Sequence, residues 1–61
     1  MKKELIEKAY QEKSITKRQR DTMLRHAEHH GPAHIRRMIE LLAEGKSFSE
    51  AHKLAMQSIG K

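Results

Sequence analysis

The sequence predicts an all-α fold, a small bundle of four short helices forming one domain over residues 1–61. Three observations predict it. Apolar residues recur three and four positions apart, with no alternating β-branched runs and only two aromatics, Tyr10 and Phe48. Thr16 followed by Gln19, and Ser47 followed by Glu50, have the form of capping boxes, in which two side chains satisfy backbone N–H groups of a first helical turn. Gly31-Pro32 and Gly45 fall where helices must stop and restart.

The first helix, about 2–12, carries Leu5, Ile6, Ala9 and Tyr10 as a narrow apolar stripe on a charged cylinder. Ser14-Ile15-Thr16 breaks it, and the Thr16 box opens a second helix over 17–30. Its apolar face centres on Thr16, Met23 and Ala27, with Leu24 beside them, at ~100° per residue. Gly31-Pro32 then makes a tight corner, because glycine accommodates the terminating backbone and proline suits the next first turn. A third helix over 33–44 places Ile35, Met38, Ile39 and Leu42 on one face, with Leu41 to the side, and Gly45 closes it. The fourth, over 48–58, turns Phe48, Ala51, Ala55 and Ile59 inward. Helices two to four are expected to form the core, with helix one docking on it or swapping between chains.

A chain of 61 residues has little apolar surface to bury, and without cysteine neither a disulfide nor a thiolate site can staple it. Helix packing, a histidine-bound metal or oligomerisation must hold it together. The start of the chain, Met1 to Glu7, is rich in charge, with Lys2, Lys3, Glu4 and Glu7, and has no apolar signal region, and no run approaches the ~20 apolar residues of a membrane span. The expected location is the cytoplasm of a host cell or a virion, with no secretion by signal peptide and no membrane partner. An enzyme is not expected: there is no nucleophile–base pair, paired carboxylate, phosphate loop or cofactor signature.

Four of five histidines lie within nine residues, His26, His29, His30 and His34, with His52 in the fourth helix. Neutral imidazole is a common metal ligand and titrates near neutrality. On a continuous second helix His26 and His30, four apart, share one border of the apolar face, whereas His29 points outward in line with Arg18 and Arg25. His34 flanks the apolar face of helix three, and His52 falls inside that of helix four. A metal site, with zinc as its ion, would therefore combine His26, His30 and His34, completed by His52 or water. The metalloprotease pattern is excluded, since Ala27 stands where its glutamate follows the first histidine. Two other readings compete: rings that border the core and bond helix-end carbonyls, and a pH-sensing cluster.

The net charge of +5 is regional. Residues 14–37 carry six Lys/Arg against Asp21 and Glu28, while residues 38–61 balance to zero. That asymmetry suits a polyanion approached from one side. Lys17, Arg18, Arg25, His29, Arg36 and Arg37 are the expected phosphate contacts, with Arg20 nearby. The competing reading is a solvated face in which Arg36 and Arg37 pair with Glu40, and Arg18 with Asp21 or Thr22. Two aromatics on apolar faces offer no stacking platform, so a duplex backbone fits better than a single strand. Four or five such contacts imply a salt slope of roughly −4. An acidic protein is the alternative partner, and the alternative function is a protein-interaction or assembly module, a homo-oligomer or a host-factor binder, to which Met23, Met38, Met56, Leu41 and Leu54 would offer adaptable apolar surface. The stretch from Leu41 to Ala51 has the look of a helix-turn-helix opening, but the outward face of helix four, Glu50, Lys53 and Gln57, is not basic.

The pattern Met23, His26, His29, His30, His34, Met38, Gly45, Ser47, Phe48, Ala51, His52, Lys53, Ala55, Met56 and Gly60 resembles short, basic, histidine-rich proteins of marine viruses, phages and metagenomes. The likeness covers about residues 15–61; Gly31-Pro32-Ala33 departs from it, where that group has Ser/Thr and lysines. It implies a viral or phage origin, where small basic helical proteins serve packaging or host takeover, and supplies no catalytic or ligand residues.

Overall fold

The charged cylinder expected at the start of the chain is a helix, α1 (Lys2–Gln11), in a computed structural model that describes residues 2–60. Met1 and Lys61 lie outside them. α1 stops in a way its sequence does not announce. The Ser14 N–H donates to the Ala9 carbonyl at 2.9 Å and the Lys13 N–H to that of Tyr10 at 3.0 Å. This paired closure needs a left-handed residue between the helix and the exit, and Lys13 supplies it at φ 64°.

The Thr16 capping box forms in full and opens α2 (Lys17–His26): Gln19 N–H donates to Thr16 Oγ1 at 3.1 Å, and Thr16 N–H to Gln19 Oε1 at 2.8 Å. The expected continuous helix to residue 30 is corrected. α2 ends at His26, tightens into a 3₁₀ turn over Ala27–His29, and leaves His30 extended at φ −136° and ψ 148°. Tightened last turns are a common way to satisfy terminal carbonyls. Here Lys2 completes the job: its Nζ donates to the Ala27 carbonyl at 2.6 Å and the His30 carbonyl at 2.8 Å. Residues 26 and 30 are consequently not one helical turn apart.

α3 (Pro32–Ala43) begins with proline itself at its first position, one residue earlier than expected, after an extended Gly31. Gly45, at φ +100°, ends it through Lys46 N–H to Leu41 O and Gly45 N–H to Leu42 O, at 3.1 and 3.0 Å. α4 (Phe48–Ser58) has the expected bounds. Only half of its capping box forms, Glu50 N–H donating to Ser47 Oγ at 3.2 Å.

α3 packs on α4, and α1 packs on both α2 and α3. Helix one is therefore built into the core rather than appended to it. Ile6 is fully buried together with Met23, Ile35 and Met38, closed over by Leu41, Leu42, Ala51 and Ala55. Truncating Ile6 to alanine would cost about 2–5 kcal/mol. Leu41, expected at the side, is buried, whereas Ile59, expected inside, is 46% exposed beyond the end of α4. Among the described residues the one polar side chain in the core is His34.

Candidate functional site

Three histidines converge where the corner meets α4. His30 follows the 3₁₀ turn on extended backbone, the first turn of α3 supplies His34, and α4 supplies His52. Their candidate ligand nitrogens all lie within 4.8 Å of one another. His30 and His34 stack face to face, centroids 4.0 Å apart and planes 5° from parallel. His52 meets both edge-on, at 5.4 and 5.5 Å.

His34 has the most constrained chemistry. Its Nδ1 lies 2.7 Å from the Gly60 carbonyl, which can only accept, so Nδ1 carries a hydrogen and, in the neutral tautomer, Nε2 has the lone pair. That Nε2 is buried and has no partner among the described residues, as is His30 Nδ1. Burial lowers the proton affinity of His30, and the neighbouring His34 and His52, then His29 and His26, lower it further. A cavity of about 100 Å³, lined by His26, His30, His52, Met23, Met38 and Phe48 among others, adjoins the cluster.

The expected metal set therefore rearranges: His30, His34 and His52 come together, while His26 is exposed at the cavity wall. The 3₁₀ turn is the reason, because it removes the helical register that would have aligned His26 with His30. His29 is exposed on that turn.

The expected phosphate contacts divide. Lys17, Arg18 and Arg25 are exposed along α2. Among the described residues no acidic group pairs with any of them. Arg25 Nη2 donates only to Thr22 Oγ1 at 3.4 Å, and that hydroxyl donates to the Arg18 carbonyl at 2.9 Å. Asp21, a suggested partner for Arg18, is taken by Arg20 at 2.9 Å. Arg20 also reaches Glu7 at 3.4 Å and lies 4.4 Å over the Tyr10 ring, so it serves the α1–α2 contact. Arg37 pairs with Glu40 at 3.1 Å. Arg36 is exposed and lines a groove against α1 with Leu5 and Lys8, whereas Arg18 lines a depression with Thr16, Gln19, Thr22 and Phe48. The six residues do not share one surface depression.

No protein-family model, curated protein or solved structure matches the chain.

Sequence reasoning missed three contributors: Lys2, which reaches the corner carbonyls from the opposite end of the chain; Gly60, whose carbonyl fixes the His34 tautomer; and Tyr10 as the platform for Arg20. For Lys2 and Gly60 no local signal exists, since each acts across 25 residues or more. Among the described residues no helix is long and apolar enough to cross a membrane.

Proposed function

We propose that the chain is a non-enzymatic helical module that binds the phosphate backbone of duplex nucleic acid through the outward face of α2. The observation that carries this is a set of exposed α2 cations, Lys17, Arg18 and Arg25, without acidic partners among the described residues, while Arg20 and Arg37 are held by carboxylates. Seven residues separate Arg18 from Arg25, about 10.5 Å along a helix. That span is on the order of the ~12 Å width of the B-DNA major groove, so the two guanidinium groups suit phosphates on opposite banks. Arg36 and Arg37 on α3 act as weaker steering charges, and His29 lies exposed on the 3₁₀ turn. Tyr10 lies beneath Arg20 and Phe48 is half-buried, which leaves no aromatic platform for unstacked bases.

Anisotropy of a labelled 20-base-pair duplex tests this. Arg18→Gln/Arg25→Gln should bind at least tenfold more weakly with unchanged circular dichroism, and Arg37→Gln should change affinity less than twofold. Wild-type affinity in the double variant, or no duplex binding by the wild type, would overturn the proposal. Preference for an acidic polypeptide over the duplex would replace it with the protein-partner alternative.

Self-association is a second reading, favoured by one observation. Met56 and Ile59, 42% and 46% exposed and three residues apart, form an apolar spot at the end of α4. Sedimentation equilibrium of wild type and Met56→Lys distinguishes a dimer through this spot from a monomer.

A further inference from the structure

We infer that His30, His34 and His52 bind one divalent transition-metal ion, with zinc as the favoured species. Two ring nitrogens, His30 Nδ1 and His34 Nε2, are buried without partners among the described residues. Leaving a buried polar atom unbonded carries an uncompensated desolvation cost, and a coordinate bond removes it. His34 is set up as a ligand in a specific sense. Its Nδ1–H donates to the Gly60 carbonyl, the outer hydrogen bond that metal-bound histidines usually make to fix tautomer and ring direction. Three neutral nitrogens with no carboxylate or thiolate in the cluster suit zinc, cobalt, nickel and copper rather than calcium or magnesium.

The free arrangement is close to a site but is not yet one. Nitrogens around tetrahedral zinc stand about 3.3 Å apart, given Zn–N bonds of ~2.0–2.1 Å. Here the three span up to 4.8 Å. A metal also lies in the plane of every imidazole that binds it, so two parallel rings cannot share one ion. The His30–His34 stack must open. Gly60 pins His34, whereas His30 is half-buried on extended backbone beside the 100 Å³ cavity, so His30 is the ring that turns. The cavity, with exposed His26 at its wall, is the route by which the ion arrives, and water fills the fourth position. Because the ligands come from the corner, α3 and α4, the bound ion ties together segments that no disulfide can join.

Metal-free full-length protein should be titrated with zinc chloride by calorimetry, and with cobalt chloride by visible absorption. One equivalent should bind, the cobalt form should show the intense bands of tetrahedral nitrogen coordination, and the melting midpoint should rise with zinc. His52→Gln should weaken binding at least tenfold, while His29→Gln, on the exposed turn, should leave it within twofold. Should a variant fail to fold, ¹⁵N resonances of the wild-type imidazoles decide the matter. Zinc should shift Nε2 of His34 and leave its Nδ1 protonated. Absence of binding by folded wild type, binding untouched by His52→Gln, or zinc-induced shifts confined to His26 and His29 would each overturn the inference.

Discussion

Replacing Lys2 with methionine removes an ammonium and keeps most of its aliphatic stem, so it isolates the two bonds that fasten α1 to the corner. In the native chain Nζ donates to the Ala27 carbonyl at 2.6 Å and to the His30 carbonyl at 2.8 Å. Ala27 O otherwise receives only a long 3.3 Å bond from the His30 N–H. Hydrogen bonds involving a charged group contribute roughly 1.5–3 kcal/mol each when well made. The site is only partly buried, so water recovers part of that loss, and the net cost should be about 1–2 kcal/mol. For a domain of this size that lowers the melting midpoint by roughly 5–15 °C. Thermal unfolding followed at 222 nm measures it, with Lys3→Met as the control, since Lys3 is exposed on the same turn. Equal midpoints for the Lys2 and Lys3 variants would refute the claim that Lys2 clamps the 3₁₀ turn.

Lys13 holds a left-handed conformation, φ 64°, at the exit of α1, where a side chain costs about 1–2 kcal/mol. Glycine relieves that strain but forfeits about 0.5–1 kcal/mol of chain entropy, so Lys13→Gly should stabilise by about 0.5–1 kcal/mol in urea titrations. A destabilised variant would show that Lys13 contributes something besides its backbone. The His30 imidazole, held below its ordinary value near 6.5 by burial and then by its histidine neighbours, makes the metal-free protein acid-sensitive. The unfolded chain takes up this proton first as pH falls. The group's contribution is thus complete above about 6.5 and is lost as pH drops through the depressed native value. Midpoints measured in chelator should fall on acidification below pH 6.5, and His30→Gln should flatten that fall. A midpoint that rises between pH 7 and 5 in the wild type would contradict the assignment.

The helices were legible because their determinants are local. Thr16 and Gln19 cap reciprocally, Gly45 and Pro32 stand where their backbone geometry is needed, and Ile35, Met38 and Leu42 repeat at helical spacing. The end of α2 was not legible, because its tightening is satisfied by Lys2, far away in sequence. That one change removed His26 from the histidine cluster and left His30, His34 and His52. The inward direction of His52 was nevertheless visible, since it lies between Phe48 and Ala55 on the apolar face of α4. Charge counting identified the basic segment but not which cations are free. Arg20 is drawn to Tyr10, Glu7 and Asp21, and Arg37 to Glu40, and those choices depend on how α1 docks and on rotamers within α3.

The proposed engagement of phosphates by α2 rests on exposed cations that no carboxylate holds among the described residues. The logarithm of the duplex association constant, followed against the logarithm of salt concentration, tests it most directly. Lys17, Arg18 and Arg25 as three backbone contacts predict a slope of about −3, falling to about −1 in Arg18→Gln/Arg25→Gln. A slope near zero, or the same slope in both proteins, would contradict it.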